Sequence, residues 1–326
     1  MYRCRICGGP ESERIGVREM MYGTRERFEY FVCSWCRCIQ IAQIPQDLSV
    51  YYPSYYYSLA KSKETGRLKR GIRRRRLGNF LGKRGYFWGW VNRFSRHQPS
   101  WLWWARKANI DFGSRILDVG CGAGRLLVNM WNWGFQQLIG VEPHLDTELR
   151  FAGGVRILKG VVEDVEGVFD LVMFHHSFEH MPDPLSALRD TFRLLAPGGR
   201  VLIRIPVADS EAWRIYGADW VQFDAPRHLF LHTRSSIHSL ADQAGFKVEE
   251  IVFDSSDFQF WGSELYRRDI PLHDPVLGKD VNLDHVFSRE ELRDFAERAR
   301  ELNEQGRGDQ ACFFLRKPES GMPTIP

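Results

Sequence analysis

The sequence predicts an α/β fold: a Rossmann-like, mostly parallel, doubly wound sheet of seven strands, preceded in the chain by a small cysteine-rich module. Three observations carry this prediction. From about residue 101 onward, apolar runs of strand length alternate with amphipathic helical patterns. The first of these runs leads into a glycine-rich turn that opens a helix. Two C-x-x-C pairs lie near the N-terminus.

The alternating region accounts for the predicted sheet. Helical patterns such as 184–195 and 235–244 separate the apolar runs, which is typical of parallel strands with helices on both faces. Two long connections, 206–232 and 254–309, interrupt the alternation, and we expect the substrate site beside them because such connections are usually functional. The predicted strands are 115–119, 137–141, 155–158, 169–174, 200–205, 246–253 and 311–316.

Length and composition set the domain plan. With 326 residues, 44% of them hydrophobic, the chain can form one large domain and a smaller one. We expect a zinc-ribbon-like module over 1–45, a basic aromatic linker over 46–100 and the α/β domain over 101–320. No signal-peptide pattern occurs, and no apolar run approaches the roughly 20 residues of a membrane span. We therefore expect a cytoplasmic protein with reduced thiols.

The segment 66–96 mixes arginine and lysine with aromatic residues, although the net charge of the chain is only +4. This composition suits anionic lipid headgroups or nucleic acid. A solvated basic helix would explain it equally well. We expect a peripheral contact with the inner face of the membrane, with nucleic acid as the alternative partner.

The glycine-rich turn and two acids indicate the kind of cofactor. A dinucleotide fingerprint requires Gly or Ala three positions after its second glycine, where this chain has Arg125. Asp118, at the end of the first strand, would repel a phosphate and suits a cofactor with positive charges; otherwise it caps the next helix. Glu142 ends the second strand, where a carboxylate can accept hydrogen bonds from both ribose hydroxyls.

Four blocks in this order resemble the class I S-adenosylmethionine-dependent methyltransferases, in the branch of ubiquinone-type, sugar and natural-product enzymes. The blocks are 117–124, 140–143, 169–184 and 194–200, within a resemblance over roughly 116–252. The resemblance implies a Rossmann-like fold, S-adenosylmethionine as cofactor and O- or C-methylation of a small-molecule, glycan or lipid-linked acceptor. The cofactor contacts that it implies are Asp118, Gly120, Cys121, Gly122, Gly124, Glu142, Glu163 (adenine) and His175.

Histidines supply the candidate bases. His228 lies in a block over 220–229 that resembles the same branch, and it could act as general base or brace the connection through Asp224 or a backbone carbonyl. His176 is the alternative base. The run 176–180 also spells an inverted zinc-protease motif, which we reject because prolines follow it and a strand precedes it. The resemblance implies a structural role for Glu179 and His180, although some ubiquinone-type enzymes bind a divalent ion there.

The N-terminal cysteines predict a structural Zn²⁺ ion. Cys4 and Cys7 form one C-x-x-C pair and Cys33 and Cys36 the other, which is the ligand spacing of a zinc ribbon, with Cys38 as a spare. Similar modules precede some sugar C-methyltransferases and some ribosomal RNA methyltransferases. The tyrosine-rich stretch that follows favours the sugar enzymes, but 226–229 departs from their His-Glu-His-Leu element.

Two other functions compete with small-molecule methylation. The first is an RNA methyltransferase guided by the ribbon and the basic segment, and its RNA affinity would fall steeply with salt. The second is a scaffold that binds the cofactor without turnover.

Overall fold

The computed structural model describes residues 1–52, 66–81, 99–274 and 278–319. A central sheet and a smaller N-terminal sheet dominate these residues. The strands are β1 (Glu11–Arg18), β2 (Arg27–Cys33), β3 (Ile39–Ile41), β4 (Arg115–Val119), β5 (Gln137–Glu142), β6 (Leu149–Arg150), β7 (Arg156–Lys159), β8 (Phe169–His175), β9 (Leu195–Pro206), β10 (Phe230–Leu231), β11 (Lys247–Phe253), β12 (His273–Asp274), β13 (Lys279–Asp280) and β14 (Gln310–Arg316). The helices are α1 (Arg67–Leu81), α2 (Leu102–Lys107), α3 (Arg125–Trp133), α4 (Pro184–Leu194), α5 (Glu211–Tyr216), α6 (Arg234–Ala244), α7 (Phe258–Arg267) and α8 (Arg289–Glu304).

The central sheet has the strand order β11-β14-β9-β8-β4-β5-β7-β6. Its middle strands are parallel, whereas β14 runs antiparallel to both β9 and β11. All seven predicted strands are confirmed. The prediction of seven was one short, because the two-residue β6 forms an antiparallel edge with β7 and is too short to give a periodic signal.

Side chains that alternate along the strands build a separate core on each face of the sheet, as a doubly wound fold requires. Leu117, Val172 and Ile203 belong to one buried cluster. Their chain neighbours Ile116, Leu171 and Leu202 belong to the other. The parallel strands therefore end at a common edge with both faces covered, and this edge carries the site.

The N-terminal module (residues 1–45) continues into the α/β domain through its sheet. Strand β3 pairs with β10, so the smaller sheet has the order β1-β2-β3-β10. Tyr30 of β2 donates a hydrogen bond of 2.8 Å to the carbonyl of His228. Ile39 and Ile41 belong to the same buried cluster as Phe230 and Leu231 of β10. The module and the α/β domain thus share one core.

The two long connections are folded. Residues 206–232 contain α5 and β10 and bury Trp220, while 254–309 contain α7 and α8. The first connection brings His228 to the carboxyl edge of the sheet by pairing through β10.

The basic segment begins as α1, and its arginines pack against aromatic rings. The guanidinium of Arg70 lies 4.3 Å from the ring centre of Trp131, and that of Arg74 lies 5.3 Å from Phe112. Arg73 lies 5.5 Å from Trp133. These arginines therefore attach α1 to the domain by cation–π contacts. The remainder of the expected membrane segment, 82–96, lies outside the described residues. Among the helices described, none combines the length and apolarity needed to cross a bilayer.

Candidate active site

The turn after β4 requires glycine. Gly120, Gly122 and Gly124 have φ angles of +71°, +55° and +76°, a region that other residues rarely adopt. A Cβ on Gly120 would lie 2.4 Å from the Cβ of Ser177, and one on Gly124 would lie 2.5 Å from the side chain of Ile157. The backbone of the turn therefore packs so closely on Ser177 and Ile157 that a side chain at Gly120 or Gly124 would clash with them.

Glu142 is buried beside this turn. Its carboxylate accepts hydrogen bonds from the amides of Gly122 (2.9 Å) and His144 (3.0 Å), one on each oxygen. These bonds fix the carboxylate at the end of β5. Each oxygen keeps a lone pair, so Glu142 can still accept the hydrogen bonds from ribose hydroxyls that the sequence predicted for it.

Asp118 is a buried acid with one carboxylate oxygen that lacks a hydrogen-bond partner in the described part of the chain. Its side chain is 2% exposed, and Oδ1 has no hydrogen-bond partner within the described chain. Burial, and then the charge of Glu142, raise the pKa of Asp118 to about 8. Helix α3 begins after Gly124 without a side-chain cap, so the helix-cap alternative for Asp118 is wrong. Two adjacent buried acids fit a cofactor with an ammonium and ribose hydroxyls, and they would repel a pyrophosphate.

The other predicted cofactor residues surround the same edge. Cys121 packs on Gly140, whose Cβ would lie 2.4 Å from the Cys121 sulfur. His175 ends β8 with its Nε2 buried and lacking a hydrogen-bond partner among the described residues, and its ring is 5.0 Å from that of Trp104. Burial lowers the pKa of His175 well below its usual range, which keeps the imidazole neutral. Glu163 lies in the turn after β7 with its side chain exposed.

His176 has its acceptor nitrogen occupied. The Arg204 guanidinium donates to Nε2 over 2.7 Å, and the same guanidinium donates to Asp254 over 2.6 Å. Because arginine can only donate, the His176 proton resides on Nδ1, which lies 3.7 Å from Glu179 Oε1. In this arrangement His176 has no free lone pair for a substrate proton.

His228 has the opposite arrangement. Its Nδ1 lies 2.7 Å from the carbonyl oxygen of Gln222, which can only accept, so Nδ1 carries the proton. The remaining nitrogen, Nε2, lies 3.8 Å from Glu179 Oε1 and 3.8 Å from Asp224 Oδ2. Among the described residues, His228 therefore presents an unprotonated Nε2 between two carboxylates without a hydrogen-bond donor to it. The two roles that the sequence left open for His228 use different ring atoms: Nδ1 braces the connection through the Gln222 carbonyl, and Nε2 could act as the base.

Glu179 lies at the centre of a histidine cluster, and the sequence favoured a structural role for Glu179 and His180 over a divalent-ion site. It is fully buried, and neither carboxylate oxygen has a hydrogen-bond partner in the described part of the chain. Burial alone would raise the pKa of Glu179, but His176, His180 and His228 outweigh it and lower this pKa to about 2. One ligand atom each from Glu179, His180 and His228 lies within 4.8 Å of the others, so these three could also hold a divalent ion.

Two neighbours of the cluster gave no sequence signal. Tyr52 stacks on His144 at 5.0 Å, and its hydroxyl lies 3.2 Å from His180 Nδ1. Arg204 lies in the apolar run 200–205, now part of β9, and nothing in that run distinguished it as a site residue. Contacts of this kind depend on which loops meet in space, and local patterns do not report that.

Residues 75–251, more than half of the chain, match a family model described as a methyltransferase domain. The chain belongs to this methyltransferase family. The Ubiquinone biosynthesis O-methyltransferase of Erwinia tasmaniensis is 34% identical over 137 residues, which are 38% of this chain and 56% of that protein. The protein with the same name from Pseudomonas fluorescens is 30% identical over 166 residues, 46% of this chain and 71% of that one.

This methyltransferase chain spans about half the length of most of the curated relatives it matches. Among solved structures, an S-adenosylmethionine-dependent methyltransferase from Archaeoglobus fulgidus aligns with a TM-score of 0.42 and 19% identity, covering 71% of this chain and all of that one.

The four cysteines of the two C-x-x-C pairs lie close together in the N-terminal module of the methyltransferase. The sulfurs of Cys4 and Cys36 lie 3.6 Å apart and those of Cys7 and Cys33 lie 3.5 Å apart, with all four within 4.8 Å of one another. A tetrahedral zinc ion with Zn–S bonds of about 2.3 Å would place its sulfurs about 3.8 Å apart. The spare Cys38 points elsewhere, because its thiol donates to the carbonyl of Leu231.

We expect the affinity of this methyltransferase for its cofactor to depend on pH through Asp118. Because its pKa is about 8 in the free protein, Asp118 must lose a proton before it can pair with a cationic ammonium. The interaction is present above that pKa and is lost as the pH falls below it. We expect the affinity for S-adenosylhomocysteine, measured by calorimetry, to rise by up to about 50-fold between about pH 6 and pH 8, as linkage to one group with a pKa of about 8 allows.

Asp118→Asn is the control, because the amino group of the ligand also titrates in this range. The variant should bind more weakly and lose most of the pH slope. An unchanged slope in the variant would assign the dependence to the ligand.

Proposed function

We propose that the chain transfers a methyl group from S-adenosylmethionine to a hydroxyl of a small-molecule acceptor, with His228 as the base that receives the hydroxyl proton. The observation that carries the cofactor assignment is the pair of buried acids, Asp118 and Glu142, beside a turn that admits only glycine. Family membership supports the same chemistry.

Each part of the cofactor has residues suited to it. The backbone of the glycine turn, over 120–124, would contact the methionine portion, and Asp118 would pair with its ammonium. Glu142 would accept the ribose hydroxyls, Glu163 would receive the adenine amino group, and His175 would lie alongside the cofactor. When bound, S-adenosylmethionine supplies an electrophilic methyl group on its sulfonium. The chain then has to align the acceptor and exclude water.

His228 is better suited than His176 to take the proton. Its Nε2 has a free lone pair, whereas that of His176 accepts from Arg204. The carboxylates of Glu179 and Asp224, each 3.8 Å from His228 Nε2, would stabilise the imidazolium once it forms. A base assists an alcohol most, because an acidic phenol ionises without one.

The name of the curated relatives, an O-methyltransferase of ubiquinone biosynthesis, favours oxygen over carbon as the accepting atom here. Glycans and lipid-linked molecules are further acceptors of the same hydroxyl chemistry. For a lipid-linked acceptor, the exposed Lys69, Ile72 and Arg75 of α1 would face an anionic membrane. An RNA acceptor is disfavoured because three arginines of α1 pack on aromatic rings of the protein.

We also propose that Cys4, Cys7, Cys33 and Cys36 hold a structural Zn²⁺ ion. The short sulfur–sulfur distances support this, as do amide donors to the sulfurs: Ile6 and Cys7 donate to Cys4, and Trp35 donates to Cys33. The hydrogen bond from Cys36 is the largest of the effects that lower the pKa of Cys4 to about 4. A thiolate is the form that binds zinc.

The cofactor assignment predicts selective binding. Calorimetric titration with S-adenosylhomocysteine should give micromolar affinity, while a reduced nicotinamide dinucleotide should not bind. Methyl-labelled S-adenosylmethionine is then offered with a panel of a catechol, a phenol, an alcohol and a glycoside. Binding of the dinucleotide alone would contradict the proposal, and binding without transfer to any acceptor would favour the scaffold.

The base assignment predicts that His228→Gln lowers turnover by on the order of 100-fold or more while the affinity for S-adenosylhomocysteine stays unchanged. His176→Gln is the matched control on the neighbouring loop, and it should retain more of the turnover because its Nε2 is already occupied. Initial rates with the best acceptor of the panel measure both. Undiminished turnover in His228→Gln would leave this residue with the bracing role alone.

The zinc assignment predicts that Cys4→Ser combined with Cys33→Ser removes the metal, measured by elemental analysis of the purified protein. Cys38→Ser is the matched control, since its thiol contacts a backbone carbonyl and should be dispensable for zinc. A wild-type protein purified without stoichiometric zinc, or equal loss of zinc in the control, would show the assignment to be wrong.

A further inference from the structure

A fully buried arginine connects the N-terminal module to the loop that carries His228. Arg227 is 1% exposed and its partner Glu19, which lies between β1 and β2, is 0% exposed. Arg227 Nη2 donates to Glu19 over 2.9 Å and to Asp224 over 2.6 Å. Asp224 Oδ2 in turn lies 3.8 Å from His228 Nε2. Hydrogen bonds thus join Glu19, Arg227 and Asp224, and the Asp224 carboxylate lies next to the imidazole of His228, where it attracts Nε2 once this nitrogen is protonated.

Glu19 is itself held rigidly. Its carboxylate accepts hydrogen bonds from the amides of Tyr22 (2.9 Å) and Thr24 (3.0 Å), in the turn between the first two strands. Its own amide donates to the carbonyl of Glu26 over 2.8 Å. Glu19, from which this series of contacts starts, is therefore fixed by the N-terminal module and not by the loop that carries His228.

The guanidinium of Arg227 has little freedom to move. Besides the two carboxylates, it donates through Nη1 to the carbonyl of Tyr51 over 3.1 Å, and its Nε donates to Asp224 over 3.0 Å. Burial alone would raise the pKa of Asp224, but Arg227 and His228 lower it below its usual range. Asp224 is thus an ionised partner for His228, and its position follows that of Arg227.

Stability alone does not account for burying these charges. A buried ion pair must overcome the desolvation of both partners, and well-packed apolar residues often stabilise a fold as much. A second contact from the module reaches the same loop, because the Tyr30 hydroxyl donates to the carbonyl of His228 itself. The module therefore fixes both the backbone and the side-chain environment of this one residue.

We propose that Glu19 is a positioning residue: through Arg227 it fixes the Asp224 carboxylate beside the His228 imidazole, which makes the N-terminal module part of the proposed methyl-transfer site. The groups facing His228 in this arrangement are Glu179, His180 and Asp224. The inference rests on the proposed role of His228 as base.

The test compares two ion pairs that join the N-terminal module to the α/β domain, both in the 326-residue chain as purified. Glu19→Gln removes the buried charge with little change of shape. Asp269→Asn is the matched control, because Asp269 pairs with Arg18 (2.6 Å) and Arg25 (3.2 Å) of the module at an exposed position. Zinc content and thermal unfolding establish that each variant is folded.

The deciding readout is the side-chain NMR spectrum of histidine labelled with ¹⁵N, recorded at one pH with and without S-adenosylhomocysteine. Wild type should show a protected Nδ1–H of His228, bonded to the carbonyl of Gln222. Glu19→Gln should shift or broaden this signal, and Asp269→Asn should leave it in place. An unchanged His228 signal in folded Glu19→Gln would overturn the inference.

Kinetics supply a second readout. With the best acceptor of the panel, Glu19→Gln should lower kcat by roughly tenfold or more with the KM for S-adenosylmethionine unchanged, because orientation is lost and cofactor binding is not. If Glu19→Gln does not fold, Glu19→Asp keeps the charge but draws it back from Arg227, and the same spectral shift is expected. If His228→Gln retains full turnover while Glu19→Gln alters the spectrum, the base assignment fails and the link from the module stands.

Discussion

Buried negative charge at the carboxyl edge of the sheet is the constraint on which the rest of the site depends. Asp118, Glu142 and Glu179 are removed from water there, and Asp224 lies beside them largely covered. Carboxylates in such surroundings need positive charge or hydrogen-bond donors nearby. The chain meets that need differently at each acid, and the differences divide the edge into a cofactor side and an acceptor side.

On the cofactor side, the protein supplies few donors. Backbone amides satisfy part of Glu142, but Oδ1 of Asp118 has no hydrogen-bond partner among the described residues, so its ionised form needs a ligand. On the acceptor side, negative charge exceeds positive charge: Arg227 is shared between Glu19 and Asp224, and only histidines surround Glu179. A proton accepted by His228 would therefore add positive charge where negative charge is already in excess, which favours the transfer.

Sequence patterns predicted the features that depend on local order. The strand and helix periods predicted the central sheet, and the order of Gly120, Gly122 and Gly124 with Asp118 and Glu142 predicted that these residues lie together at the carboxyl edge of the sheet. Each of these follows from residues close in sequence or from the ends of parallel strands meeting. The pairing of β3 with β10 and of Glu19 with Arg227, 208 residues apart, has no such local signal. The basic segment shows the same limit, because composition could not reveal that its arginines pack on Trp131, Trp133 and Phe112.

The small sheet, which joins β1, β2 and β3 of the N-terminal module to β10 of the α/β domain, bears on the role of the module. A zinc ribbon that recognised a partner independently would need only a tether, yet this module contributes three strands to a sheet that β10 completes, and it shares a hydrophobic core with the α/β domain. Thr233, which caps α6, also donates to the carbonyl of Cys36 over 2.6 Å. If zinc binds at these cysteines, a shift of the cysteine cluster would reach β10 and the loop before it, within a few residues of His228. Zinc binding and the proposed proton transfer at His228 would then be coupled by packing, because the module and the α/β domain share one core.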